Sequence, residues 1–319
     1  MSTQQRKFAD DGWAIWIDGD DKSNVYINDW INPKDVSYVD FAVKISGVST
    51  TKTLNVYVPF SVTKDEIEDI SLRFEDRKIL RALFGAACII DFKKNEHASE
   101  VAYKDKLVDI VHISTLEYSL SSISNGTLIK VDLAQLQQYL DNDVAYFIWR
   151  MPHKSLNEVL KPRVNVSNIL TKLRDLITTP VITEKYCYSV RINESRLLPE
   201  EITKIGLFHR ERLNKAIVSI AIDEEYELND GGCYCIRRLE DNLYKDFLPQ
   251  KFDSKGIITY QWNQTRENNT LGQYNFYYNL AKNYVSRASM FVYMILLLTV
   301  GIIGNLLSDL VKNIFNLFR

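Results

Sequence analysis

Short runs of β-branched and aromatic residues, several alternating with polar ones, dominate the first third of the chain. They are "WAIWI" (13–17), "NVYIN" (24–28), "YVDFAVKI" (38–45) and "TLNVYVPF" (53–60). A two-residue period with that composition predicts half-buried strands. The pattern then changes. "TKDE" sets Glu66 three residues after Thr63, the spacing of a capping box, and predicts a helix start. A second helix is expected over 73–84, stopped by Gly85, with the apolar strand "ACIID" (87–91) after it.

"TLEYSLSSISNGTLIKVDL" carries the sharpest local signal. Asn125-Gly126 between two β-rich runs predicts a type I′ hairpin, whose two turn residues both take positive φ. A short helix near 133–140, the strand "VAYFIWR" (144–150) and a helix near 167–178 follow, and "TTP" (178–180) suggests a boundary. From 181 the reading is again strand: "YCYSVRI", "KAIVSIAI", "CYCIRRL" and "GIITYQW", with "NDGG" (229–232) turning into the third. That spacing, with Trp262 expected inside, fits a small sandwich or barrel. "TKDEIEDI" (63–70) and "LPEEITKI" (198–205) echo each other, each after a strand, but short amphipathic helix starts recur by chance.

The last apolar stretch is of another kind. Residues 288–308 hold no charged side chain. As a helix they would span about 31 Å, close to the roughly 30 Å of a bilayer's hydrocarbon core. Upstream, Lys282, Tyr284 and Arg287 suit an interfacial belt. Gly301, Gly304 and Ser308 supply small side chains for close helix approach. From Asn305 onward the polar residues Asn305, Asp309, Lys312, Asn316 and Arg319 fall on one helical face. Two arrangements fit that stripe. The last turns lie in the interface as an amphipathic anchor, the favoured version, or several copies turn the stripe inward around a water-filled path.

Charge adds exclusions. The net charge of −2 leaves no basic excess for nucleic acid, which is therefore not expected as a partner. Lys282 and Arg287 balance Lys312 and Arg319 across the span, so flanking charge does not orient it. The N-terminus has no apolar secretion segment, which sets the expectation of a cytosolic N-terminal domain. Five N-x-S/T sequons, at Asn125, Asn165, Asn193, Asn263 and Asn268, argue weakly against it.

Chemistry is sparse. No nucleophile elbow, Walker loop, dinucleotide fingerprint or H-E-x-x-H helix is present, and His97, His112, His153 and His209 are scattered. Cys233-x-Cys235 has the two-residue spacing that could aim two thiolates at one ion, with Cys187 and His209 the other candidates in this half. Two buried, reduced cysteines are the simpler reading. Asp91-Phe92-Lys93 at a strand end matches the carboxylate and lysine of restriction-type nucleases, but the second acid such sites need is not on a neighbouring strand, and a strand running out into a solvated loop is the favoured reading. "DGDDKSN" (18–24) lacks the remaining residues of a calcium loop and reads as a hairpin turn, and Asp223-Glu224-Glu225 as a solvated turn.

The expected fold is therefore mainly β with inserted helices (α+β): a β-rich domain over 1–180, a small β-sandwich or barrel-like domain over 181–270, a juxtamembrane segment at 271–287, a transmembrane helix at 288–308 and an amphipathic tail at 309–319. No cofactor or metal is expected. The function expected is binding or sensing coupled to a membrane, rather than enzymatic. The partners are the bilayer, further copies of the chain, and a protein or small-molecule ligand. A membrane-acting defence or stress effector shares this layout by analogy alone. The alternatives are the ectodomain of a single-pass receptor and a tethered metal-dependent hydrolase using Asp91 and Lys93.

Overall fold

The strands assemble into two sheets packed face to face. The computed structural model describes residues 6–18, 22–76, 78–80, 88–89, 96–103, 106–134, 136–160, 181–205, 213–228, 232–240, 244–250, 252, 255–265, 273–285 and 287–317. In chain order the strands are β1 (Arg6–Ile17), β2 (Lys22–Trp30), β3 (Tyr38–Ser46), β4 (Thr53–Val58), β5 (Glu68–Asp69) and β6 (Cys88–Ile89). Then come β7 (Ala98–Tyr103), β8 (Lys106–Val111), β9 (Tyr118–Ile123), β10 (Gly126–Asp132), β11 (Val144–Pro152) and β12 (Val181–Ile192). The last are β13 (Leu213–Asp223), β14 (Tyr226–Leu228), β15 (Cys235–Arg238), β16 (Ile257–Thr265) and β17 (Tyr274–Val285). Three α-helices are described: α1 (Lys154–Leu160), α2 (Glu200–Ile205) and α3 (Arg287–Leu317). The protein is thus mostly β-sheet with a few short helices and one long apolar helix at its C-terminal end, as the alternation predicts.

Sheet I runs β14-β17-β12-β1-β4-β10-β9 and sheet II runs β15-β16-β13-β2-β3-β11-β8-β7-β6, with β5 alongside β11. Segments on both sides of the 178–180 boundary contribute to each sheet. β1 pairs in parallel with β12 in sheet I, and β2 pairs in parallel with β13 in sheet II. Period-2 alternation supplies the core between the sheets. Trp13 and Ile15 of β1, with Tyr188 and Val190 of β12, face Val25 and Ile27 of β2 and Phe41 and Val43 of β3. Trp13 stacks on Phe41 at 5.9 Å, and Phe41 meets Trp149 at 4.8 Å. Trp262 is buried in this core, as expected.

Several local expectations are corrected. The capping box forms, with the Thr63 N–H donating to the Glu66 carboxylate at 2.9 Å. It starts only a 3-10 turn, Lys64–Glu66, because β5 follows two residues later and pairs with β11. Of the helix expected over 73–84, the described residues are a 3-10 turn, Ser71–Glu75, followed by α-helical residues at 78–80, and the helix expected over 133–140 is a short 3-10 turn, Gln137–Tyr139. The helix near 167–178, the stop at Gly85 and the 178–180 boundary lie outside the described residues.

The β9–β10 hairpin exists, but its turn residues are Ser124 and Asn125, since Ile123 pairs with Gly126. Of the two only Ser124 takes positive φ, at 54°. Gly126 is needed for space: a Cβ there would overlap the Val58 carbonyl and the Tyr57 ring. The link after Asp18 is no hairpin, because β1 and β2 belong to different sheets.

The segment expected to be juxtamembrane is largely β17. It pairs with β12 along its whole length and buries Tyr274, Phe276, Tyr278 and Leu280. Lys282 pairs with Glu225 and lies over the Tyr226 ring, so it belongs to the folded body. One residue separates β17 from α3.

Candidate functional site

Sheet II is covered on both faces, and its outer face forms the floor of a cavity of about 480 Å³. The cross-strand register arranges this floor in rows. Lys215, Asn24, Lys44 and Tyr146 are register partners across β13, β2, β3 and β11. Two residues along, Ile217, Tyr26, Ala42 and Ile148 form an apolar row; two further, Gln261, Ser219, Asn28, Asp40 and Arg150 form a polar one. Paired residues share a face and successive i, i+2 positions repeat it, so each row follows from alternation within its strands.

A roof lies over one end. Phe74, from the 3-10 turn after β5, meets Phe247 at 5.8 Å and Tyr146 at 6.2 Å. The Phe247 carbonyl accepts hydrogen bonds from Arg73 Nη1 (3.0 Å) and Arg150 Nη2 (2.9 Å), which join roof to floor. Arg150 and Asp40 are both buried. Asp40 accepts from Arg150 Nε (2.5 Å) and Nη2 (2.8 Å) and from Trp30 Nε1 (2.6 Å). Losing one partner of such a pair strands a buried charge, at a cost of about 3–5 kcal/mol. Arg150 Nη1 is buried with no hydrogen-bond partner among the described residues. Lys44, Lys215 and Arg237 line the same cavity, and Asp40 is the one acid among its described lining residues. Asp40 is thus paired with Arg150 within the floor.

A second polar cluster lies between the sheets, closed to solvent. His153, at the β11–α1 junction, is fully buried. Its Nε2 is 3.1 Å from Asp11, and its Nδ1 is 3.1 Å from Asp29 but poorly aligned, so that contact is electrostatic. Tyr188 donates to Asp11, and Tyr278 donates to Asp29 at 3.2 Å. Burial alone would lower the His153 pKa, but the two aspartates outweigh it and hold the imidazole at about 9. Burial also pushes both tyrosines well up, with the aspartates adding to it. Buried as it is, this cluster ties β1, β2, β12 and β17 together.

His112 resembles a catalytic histidine only in composition. Ser71 and Ser99 flank its two nitrogens at 2.8 and 3.0 Å, and Asp69 accepts from Ser71, but both Ser99 and His112 are buried. Asp91 and Lys93 lie outside the described residues, as does His209. Cys187 is a buried free thiol, whereas Cys233 is half-buried and Cys235 exposed in the cavity wall, so this pair does not share a core position. The reason is their place on β15 and its approach, the last described strand at that edge of the sheet.

The other candidate is α3. Its stretch Met290–Ile314 is long and apolar enough to cross a membrane, and none of the most apolar window is buried. Leu298 is 68% exposed and Leu306 64%. The helix is unbroken through Ser308, so the expected span and tail are one element. Gly301 and Gly304 have open space where a Cβ would stand. Asn305, Asp309, Lys312 and Asn316 lie on this helix, with Lys312 3.6 Å from Asp309. Arg319 lies outside the described residues.

No protein-family model matches the chain, and no curated protein matches it in sequence. Among solved structures, the Fcho1 Mu homology domain of Danio rerio with bound Eps15 peptide aligns at 8% identity over 85% of this chain and 79% of that one, with a TM-score of 0.11. A score that low carries no argument about fold or ligand.

Proposed function

We propose that this protein is a membrane-anchored binding module. In this reading α3 crosses the bilayer, the cavity on sheet II takes the ligand, and the sandwich lies on the cytosolic side. The observation that carries it is the exposure of α3. A folded body that buries Trp13, Phe41 and Trp149 completely leaves Leu298 and Leu306 bare. At roughly 25 cal/mol per Å² of apolar surface, so long a bare face demands a non-aqueous surrounding. Lipid satisfies it, and a 31-residue helix of about 46 Å can span the hydrocarbon with some tilt.

Two features support the cytosolic side. Asn193, one of the sequons, is 2% exposed and bridges the backbone N–H and C=O of Ile15, so a glycan there would break β1 from its neighbour. The thiols of Cys187, Cys233 and Cys235 are free. The polar positions Asn305, Asp309, Lys312 and Asn316 recur at steps of four and three, which supports association of copies through α3.

Membranes from cells making the full chain provide the test. The protein should stay in the pellet through alkaline carbonate, and protease should reach the sandwich only after the vesicles are opened. Release into the carbonate supernatant would remove the anchor, and digestion in sealed, right-side-out vesicles would reverse the sidedness. Gly304→Leu should lower cross-linked oligomers while leaving insertion intact; unchanged cross-linking would leave α3 as a lone anchor.

A further inference from the structure

The cavity's rows carry a specification for what fills it, and this inference rests on the binding half of the reading above. We infer that the site takes a small amphipathic organic anion: an acidic group at one end, an apolar ring or chain in the middle, and a hydrogen-bonding group at the far end.

The register fixes the order of those parts. Lys215 and Lys44 share one row two strands apart, about 9.5 Å between backbones, a spacing their long side chains can close onto one carboxylate or phosphate. Lys215 makes no ion pair among the described residues. The next row, about 6.7 Å along, offers Ile217, Tyr26 and Ala42, with no charge. The row beyond, about 13 Å from the lysines, offers the Asn28, Ser219 and Gln261 side chains, which have no hydrogen-bond partner among the described residues. At that end Asp40 and Trp30, two residues of the cavity wall, are held in place by the buried Arg150 behind them.

The volume of about 480 Å³ suits one small molecule and is too confined for a folded partner. The acidic end is selected because Lys215, with no ion pair among the described residues, shares its row with Lys44, while Asp40, the one acid among the described lining residues, is already paired with Arg150.

Dansylglycine and dansylamide are a matched pair of probes. They share the naphthalene ring and sulfonamide, and only the first bears a carboxylate. Full-length protein in zwitterionic lipid nanodiscs, with empty nanodiscs as blank, should bind dansylglycine saturably, read as tryptophan-sensitised dansyl emission. Changing both lysines (Lys44→Ala with Lys215→Ala) should weaken dansylglycine by about tenfold and leave dansylamide unchanged, as loss of a charge-assisted contact requires. Ile217→Glu, at a half-buried floor position, should weaken both probes. Each variant is read only with a wild-type unfolding midpoint, and Lys44→Arg with Lys215→Arg should restore dansylglycine binding if the double alanine variant does not fold.

Absence of saturable dansylglycine binding by the wild type would overturn the assignment. So would equal loss of both probes in the lysine variant. The carbonate test is independent: a chain that binds dansylglycine but leaves the membrane loses its anchor and keeps this site, and the converse result removes the site alone.

Discussion

Asp11, Asp29 and His153 show how a residue's role is decided by what surrounds it. In sequence they are two acids on alternating strands and one scattered histidine. Folded, they form a buried charged cluster in which the imidazole is held at about 9, above its ordinary 6.5. A folded-state pKa above the unfolded one means that the stabilisation is complete below about pH 6.5 and is lost as pH rises through 9. Tyr188 and Tyr278, the other groups facing this histidine, titrate well above that window and stay neutral through it. Over those pH values the wild type should lose about 3 kcal/mol that a His153→Gln variant does not lose. Urea unfolding at pH 6.5 and pH 9, followed by tryptophan fluorescence, measures it. Identical pH dependence in the two proteins would remove the charged-histidine account.

At the scale of the element, the β9–β10 hairpin separates two reasons for a glycine. Asn125-Gly126 suggests a turn that needs positive φ twice, yet the strained residue is Ser124 and Gly126 is already paired. Gly126→Ala should therefore destabilise by about 1–3 kcal/mol through overlap with Val58 and Tyr57, while Asn125→Ala changes little. Thermal melts of the two variants decide, and the reverse ranking would restore the turn explanation. The echo between 63–70 and 198–205 dissolves in the same way, since one is a 3-10 turn and the other contains α2. The neighbours β1 and β12 run parallel with β4 and β17 mirrored outside them, and both segments send their next strand to sheet II. A rotation relating two copies would turn one core face outward, so this arrangement does not record a repeated unit.

Across the whole molecule, the parallel pairs β1–β12 and β2–β13 make the two β-rich segments interdependent. Alone, residues 1–178 would expose Trp13, Ile15 and Ile27 along unpaired strand edges. That fragment should show no cooperative unfolding transition by itself and should regain one on co-expression with residues 179–319. A cooperative transition in the isolated fragment would show that its strands need no partner from the second segment.

The strands and the apolar C-terminal helix were legible in the sequence because they depend on local periodicity and length. "YVDFAVKI" and "KAIVSIAI" announced strands whichever neighbours they acquired. The cavity was not legible. Lys44 and Asp40 of β3, Lys215 and Ser219 of β13, and Asn28 of β2 occupy the polar half of each alternation, where a single strand predicts only solvent. They become rows because strands nearly 190 residues apart in sequence, such as β2 and β13, lie in register, and they become a cavity because Phe74 and Phe247 close over them. The same holds for β17, whose Lys282 and Tyr284 suit a membrane belt in sequence but pair with β12 in the fold. Period and apolar length are properties of neighbouring residues, so sequence alone determined them. Register, sheet order and burial of charge depend on contacts between distant segments, and only the tertiary structure decided those.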